Sequence, residues 1–129
     1  MMGTRVLVVD DNAINVELAV FVLRAQGFDV ESAGSADAAI AQARAFLPDV
    51  ILMDIQMPEV DGVATIRRLR EDPLTRDIVV IACTAYAMKG DEQKLRAAGC
   101  DGYIAKPIDV ASLGQTVRMH AGARMKSQT

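Results

Sequence analysis

Short apolar runs that end abruptly in polar residues restrict the fold of this chain more than any other feature of its sequence. The clearest is residues 50–53, which Asp54 follows and a Met57-Pro58 turn signal closes. Uninterrupted runs of this length are typical of strands that are covered on both faces of a parallel sheet. Three more runs share this design: residues 5–9 before Asp10-Asp11, residues 78–83 before Thr84, and residues 102–105 before Lys106.

Segments with helical spacing of apolar residues alternate with these runs. Another strand is predicted from Phe28 to Ala33, and the connections are too short for anything but crossover helices. Strand and helix alternate five times, which predicts a doubly wound parallel sheet of the α/β class. The whole chain, residues 1–129, is expected to form a single domain with a core over about residues 5–120. Residues 121–129 are expected to form a polar, frayed tail. Five helices are predicted. Their positions are a helix capped by Asn12 or Asn15 that runs to about Gln26, residues 36–47, residues 63–71 before Asp72-Pro73, a helix capped by Asp91 within the segment 85–99, and a last helix capped by Asp109.

The first predicted helix is apolar on two sides. One stripe consists of Ile14, Leu18, Phe21, Val22 and Ala25, and a second set consists of Val16, Ala19, Val20 and Leu23. Because little polar surface remains, we expect tight burial between neighbouring elements, with a partner-docking face as the alternative.

Charged faces on two later helices carry less information. The third predicted helix has arginines at positions 67, 68 and 70, for which a solvated helix face is favoured over a site for phosphate or an acidic partner. The fourth has few apolar anchors, Leu95 and Ala98, and is expected to be one of the more mobile elements.

Composition and charge exclude several classes of protein. The chain carries a formal net charge of −3, so no overall basic surface for DNA is expected. Aromatic residues make up 4% of it and Trp is absent, which removes the stacking surface that single-stranded nucleic acids use. No apolar run reaches the ~18 residues of a membrane span, and we expect a cytoplasmic protein. Cys83 and Cys100 lack CxxC spacing and are expected to be free thiols, buried or half-buried.

The acidic residues that follow the strands predict a magnesium site. The carboxyl ends of parallel strands lie along one edge of the sheet, so Asp10, Asp11 and Asp54 are expected to meet there. Three carboxylates this close repel one another unless a cation lies among them. Mg²⁺ prefers oxygen ligands, and Mn²⁺ could replace it. Asp11 and Asp54 are the predicted direct ligands, Asp10 is a ligand through water, and the backbone carbonyl of Gln56 is a further contributor.

The same arrangement suits phosphoryl transfer to a carboxylate. Asp54 could act as a nucleophile that forms an aspartyl phosphate. This reaction needs positioning and charge neutralisation more than covalent help from the protein. Lys106 and the metal ion would supply the neutralisation, and the hydroxyl of Thr84 would donate a hydrogen bond to the transferred group.

Taken together, these residues resemble the receiver domain of two-component response regulators. The resemblance covers residues 5 to about 120 and rests on Asp10-Asp11, Asp54 with Met57-Pro58 and Asp61-Gly62, Thr84-Ala85, and residues 102–107. Residues 84–91 are similar to stand-alone, single-domain regulators of the DivK type and to receivers of hybrid histidine kinases.

The resemblance implies a flavodoxin-like fold with strand order 2-1-3-4-5. It also implies that Asp54 accepts a phosphoryl group from a phosphohistidine on a histidine kinase or a histidine phosphotransfer protein, whose helical bundle docks on the first helix. The peptide before Pro107 is expected to be cis and to aim Lys106 at the site. Such a domain is a signalling module in a phosphorelay rather than an enzyme.

The resemblance further implies a switch. After phosphorylation Thr84 would move, Tyr103 would rotate inward, and the face of the fourth helix, fifth strand and fifth helix would change shape for a downstream protein. Gln56 and Tyr86 lie beside the site and are expected to give the phosphoryl group a lifetime of minutes or longer. We expect no direct contact with nucleic acid or membrane, and a monomer or weak dimer.

Three alternatives stay open at this point. A Mg²⁺-dependent phosphohydrolase of the haloacid-dehalogenase type also forms an aspartyl phosphate, but residues 10–13 do not fit its DxDx[TV] pattern and no chain is left for a cap domain. A flavodoxin-like cofactor binder would need a Ser/Thr/Gly-rich phosphate loop after the first strand and aromatic residues against a flavin. No such loop follows residues 5–9, and aromatic residues are scarce. Because no output domain follows the last helix, the chain is expected to act on another protein, unless it is a receiver cut from a hybrid histidine kinase.

Overall fold

One parallel β-sheet organises the part of the chain that the computed structural model describes, residues 4–55, 62–84, 89–105 and 110–127. Its strands are β1 (Arg5–Val9), β2 (Asp29–Ala33), β3 (Val50–Asp54), β4 (Val79–Thr84) and β5 (Gly102–Ala105). The helices that alternate with them are α1 (Ala13–Ala25), α2 (Ala36–Phe46), α3 (Gly62–Glu71), α4 (Lys89–Ala98) and α5 (Val110–Ser127). The strand order is β2-β1-β3-β4-β5 with every pairing parallel. The prediction of a flavodoxin-like α/β fold is therefore confirmed.

Apolar side chains cover both faces of this sheet. Successive residues of a strand point to opposite faces, so Leu7 and Val9 belong to the cluster under α2, α3 and α4, whereas Val6 and Val8 belong to the cluster under α1 and α5. All residues of β3 and β4 are buried. Burial on both faces explains why these strands read as continuous apolar runs.

The ends of the first two helices follow from local capping. The side chain of Asn12 accepts a hydrogen bond from the backbone N–H of Asn15 at 3.1 Å, so Asn12 is the cap of α1 and Asn15 lies inside the helix. Ser35 caps α2 in the same way, through the backbone N–H of Ala38 at 3.2 Å. α2 ends where Leu47 takes a left-handed conformation, at φ 50°, before Pro48.

The prediction that α1 is tightly buried was wrong. Ala19 and Leu23 are buried, but Ile14, Leu18 and Phe21 are 76%, 49% and 73% exposed. α1 packs against β1, β2 and α5. Within the described residues the stripe on its opposite side is left open to solvent.

The prediction of a solvated arginine face on α3 holds for Arg67 and Arg68, which are exposed, but it was wrong for Arg70. Nε and Nη2 of Arg70 both donate to the carbonyl oxygen of Gly99, at 2.8 and 2.6 Å, and Nη2 also donates to a carboxylate oxygen of Asp101 at 2.8 Å. Nη1 donates to the carbonyl oxygens of Arg76 and Ile78, at 2.8 and 2.5 Å. A single side chain thus joins α3 to the approach to β4 and to the loop that follows α4.

Two helix boundaries differ from the predictions. α4 begins at Lys89, so Asp91 lies inside the helix and is not its cap. α5 continues to Ser127, so the predicted frayed tail is helical through that residue. The predicted cap of α5, Asp109, lies outside the described residues. Both errors arise because the terminal turns carry few apolar residues, and apolar periodicity is the signal that predicts a helix.

Both cysteines are free and buried, as predicted. Burial raises the pKa of the Cys100 thiol, and the nearby charge of Asp101 adds to this effect, whereas Arg96 opposes it. Among the helices of the described ranges, none has the length and apolar character that a bilayer crossing requires.

Candidate functional site

Three carboxylates meet at the carboxyl edge of the sheet. Val9, the last residue of β1, pairs with Met53 in β3, so the residues that follow them, Asp10 and Asp54, lie side by side. One carboxylate oxygen from each of Asp10, Asp11 and Asp54 lies within 4.8 Å of the other two. The structure therefore brings the predicted acidic cluster together.

Burial differs among the three acids. Asp54 is 4% exposed and Asp10 9% exposed, whereas Asp11 is open to solvent. Backbone bonds hold Asp10 in place, because its N–H donates to the carbonyl oxygen of Ala33 at 3.1 Å and its Oδ1 accepts from the N–H of Asn12 at 2.9 Å. Asp10 is thus held in place, Asp10 and Asp54 are shielded from water, and the cluster is accessible from the side of Asp11.

The donor set of the cluster fits a hard divalent cation. Carboxylates this close repel one another, and burial adds to the free energy of holding them ionised. A cation among them removes both costs. Three carboxylate oxygens, with no nitrogen or sulfur donor in the cluster, match the ligand preference of Mg²⁺ and Mn²⁺ rather than that of Zn²⁺.

Thr84 and Tyr103 lie on the other side of Asp54. Cys83 pairs with Asp54, so Thr84 is one residue further toward the same edge, and it is buried. Ala82 pairs with Tyr103 on β5. Side chains alternate along a strand, so Thr84 lies on the same face of the sheet as Ala82, the face that α3 and α4 cover. Half-buried Tyr103 packs against the hydrophobic core on that face.

Four of the predicted site residues cannot be placed. Gln56, Tyr86, Lys106 and Pro107 lie outside the described residues. The roles suggested for them remain predictions.

Gly62 has a structural role that was not predicted from the sequence, where the residue was only part of a motif. Gly62 is the buried first residue of α3. A Cβ atom at this position would lie 2.8 Å from the Cα of Ile55, the residue that follows Asp54. A glycine directly before a predicted helix was the available signal, since glycine permits a close backbone approach.

The strand order and the acidic cluster together define a receiver domain. Residues 6–118 match the family model described as the response regulator receiver domain, and the chain belongs to this family. It is accordingly a phosphoacceptor signalling domain of a two-component system.

Individual relatives agree with this assignment. The chain is 42% identical over 121 residues to the polar-differentiation response regulator DivK of Brucella ovis, covering 94% of this chain and 98% of the relative. Among solved structures, the CheY-like receiver domain protein of Methanospirillum hungatei is similar with a TM-score of 0.88 at 25% identity, over 97% of this chain and 98% of that one. The receiver domain of the sensor histidine kinase PA1611 of Pseudomonas aeruginosa, solved with a magnesium ion coordinated in its active-site cleft, has a TM-score of 0.83 at 32% identity, over 93% and 98% of the two chains.

Family membership sets the general chemistry of the site. Receiver domains bind Mg²⁺ at an acidic site and interact with histidine kinases and downstream targets. In this chain, Asp10, Asp11 and Asp54 form an acidic cluster that is compatible with such a site.

Proposed function

We propose that Asp54 is the residue that accepts the phosphoryl group. The observation that carries this proposal is the position of Asp54, buried at the end of a central strand with Asp10 on one side and Thr84 on the other. Asp10 is less suited, because one of its oxygens already accepts the N–H of Asn12. Asp11, which is exposed, lacks the shielding from water that preserves an acyl phosphate.

In the proposed reaction, a carboxylate oxygen of Asp54 attacks the phosphorus of a phosphohistidine, and the imidazole nitrogen of the donor leaves. When bound, Mg²⁺ would neutralise charge on the phosphoryl oxygens, held by Asp10, Asp11, Asp54 and the backbone carbonyl of Gln56. Thr84 donates its hydroxyl hydrogen to a phosphoryl oxygen, and the Lys106 ammonium neutralises the opposite side.

The intact mass of the protein tests this assignment. We expect a small-molecule phosphodonor with Mg²⁺ to add one phosphoryl group to the wild type. Asp54→Asn, or EDTA with the wild type, should prevent the addition. Asp29→Asn is the matched control, since Asp29 is an exposed acid at the start of β2, at the edge of the sheet opposite the cluster. A phosphoryl group that still adds to folded Asp54→Asn would refute the choice of acceptor.

The proposed donor is a histidine kinase or a histidine phosphotransfer protein. The exposed face of α1 around Leu18 and Phe21 supports docking of a helical bundle there, since an apolar surface of this kind is typical of interaction sites. The stripe that sequence analysis expected to be buried is the one available for docking. The expectations of a single domain, of a cytoplasmic location and of a protein that is not an enzyme also stay predictions.

The proposed output is a change on the face of α4, β5 and α5. Thr84 and Tyr103 share one face of the sheet, which supports a coupled movement of the two side chains. Tyr103→Ala is expected to leave phosphorylation intact while partner binding no longer depends on it. Unchanged dependence on phosphorylation in pull-down of the downstream partner would contradict this coupling. Loss of the phosphoryl group within seconds, with no phosphatase present, would contradict the lifetime of minutes or longer predicted from Gln56 and Tyr86.

A further inference from the structure

The exposed side of α1 carries a stripe of regularly spaced apolar side chains. Large apolar side chains exposed in the described part of the chain are Ile14, Leu18, Phe21, Leu47, Leu74 and Met119, and three of these lie on α1. With exposed Ala25 they follow one another at intervals of four, three and four residues. This alternation of three and four is the spacing of the seam between two helices in a coiled coil.

The stripe is complementary to itself. Its intervals are the same in both directions along the helix. When two copies of α1 lie antiparallel, Leu18 of one copy therefore stands opposite Phe21 of the other, and Ile14 stands opposite Ala25. A closed two-fold pair of this kind brings the same surface together from both copies.

The charges beside the stripe point to the same arrangement. Glu17 and Arg24 are seven residues apart, so both flank the stripe on one side, at equivalent positions of the repeat. In the antiparallel pair, Glu17 of each copy lies near Arg24 of the other, which gives two ion pairs by symmetry. Nη2 of Arg24 donates to the carbonyl oxygen of Val30 at 3.0 Å, and the guanidinium has further N–H donors for a carboxylate.

The surface of α1 also contains a hollow beside the stripe that could accommodate a side chain. Glu17, Val20, Phe21, Arg24 and Ala25 line a shallow, largely apolar hollow. Residues 17, 20, 21 and 24 have the spacing i, i+3, i+4 and i+7, so the hollow lies along the side of the stripe that carries Glu17 and Arg24. In the antiparallel arrangement, the side chains of the second copy at this level are Leu18 and Phe21.

We propose that the chain forms a weak symmetric dimer in which α1 packs antiparallel against α1 of a second copy. The dimer is weak because one helical stripe buries less than the ~800 Å² per partner of a typical stable interface. It covers the α1 face, so a copy within the dimer cannot present that face to another protein. This proposal stands on the spacing and charges of α1 and does not depend on the identity of the phosphoryl acceptor.

Charge reversal tests the antiparallel pairing. Glu17→Arg alone, or Arg24→Glu alone, places two like-charged pairs at the interface, and we expect the dissociation constant to rise about tenfold. The double variant Glu17→Arg/Arg24→Glu restores two opposite-charged pairs and should recover dimerisation. Sedimentation velocity from ~10 µM to ~1 mM measures the dissociation constant of each form.

Matched controls lie on the opposite face of the sheet. Glu71→Arg and Arg67→Glu make the same charge changes on exposed positions of α3 and should leave the dissociation constant unchanged. Arg24→Glu also removes the hydrogen bond from Arg24 to Val30, which could lower the stability of the monomer. Circular dichroism of every variant therefore checks that a weaker dimer does not result from unfolding.

Two outcomes would overturn the proposal. One is a wild-type protein that stays monomeric across the whole concentration range, which would leave the stripe to a different protein. The other is a dimer whose double variant is as weak as the two single variants. Uptake of a phosphoryl group from a small-molecule donor is measured separately, so failure of the dimer and failure of the proposed function are distinguishable.

Discussion

Replacement of Arg70 by methionine is expected to destabilise the protein strongly although the residue lies on a charged, solvent-facing helix. Arg70 makes five hydrogen bonds, to the carbonyl oxygens of Arg76, Ile78 and Gly99 and to the carboxylate of Asp101. Methionine keeps an unbranched apolar stem against Gly99, where the Arg70 stem lies within contact distance. The substitution therefore removes the hydrogen bonds while keeping most of the packing.

The magnitude follows from the burial of these groups. Hydrogen bonds to charged groups contribute ~1.5–3 kcal/mol each when shielded from water. The side chains of Arg70 and Asp101 are 19% and 26% exposed, so water replaces part of what is lost. We estimate a total loss of ~2–4 kcal/mol in the free energy of unfolding, or a fall of ~10 °C in the melting temperature.

Urea unfolding at neutral pH measures this loss. Arg67→Met on the same helix is the matched control, because Arg67 is exposed, and it should change the free energy of unfolding by less than ~0.5 kcal/mol. The cycle with Asp101→Asn isolates the ion pair, and the two substitutions should be clearly non-additive. If Arg70→Met lowers the free energy of unfolding as little as Arg67→Met does, the hydrogen bonds of Arg70 do not stabilise the fold, and the prediction of a solvated arginine face on α3 would hold for Arg70 as well.

Three further substitutions test other features. Gly62→Ala should cost ~1–3 kcal/mol in the free energy of unfolding and slow phosphoryl uptake in the mass assay, because its Cβ would displace Ile55 beside the acidic cluster. Gly114→Ala should give no gain in stability by thermal unfolding in the wild type, since the new Cβ would overlap Oε1 of Gln26. In a Gln26→Ala background the new Cβ still lies 3.2 Å from the ring of buried Phe28, so the gain should be well below the ~1 kcal/mol of an unhindered helix position. The raised pKa of Cys100 favours the folded state while the thiol is protonated, so this contribution is present below about pH 8.5 and is lost as the pH rises through the raised folded-state value. In urea unfolding, the stability of Cys100→Ala should therefore fall less than that of the wild type as the pH becomes alkaline. An equal fall in the two proteins would contradict the raised pKa of Cys100.

The acidic cluster shows how much of the site could be predicted from the sequence. Asp10, Asp11 and Asp54 each follow an apolar run, and in a parallel sheet every such run ends at the same edge. The common edge of the three acids thus followed from the sequence, whereas their proximity depends on a strand order that places β1 beside β3. That order came from the resemblance to receiver domains, since short apolar runs carry no record of which strand lies beside which.

The sequence by itself determined the alternation of strands and helices, the α/β class and the edge at which the acids meet. These features depend on local patterns, namely apolar runs, caps and breakers. The tertiary structure decided that Phe21 is exposed, that Arg70 bonds two separate segments and that Gly62 lies against Ile55. Apolar spacing shows which side chains of a helix could be buried, but their burial depends on a neighbour far away in sequence, and no local pattern encodes where that neighbour lies.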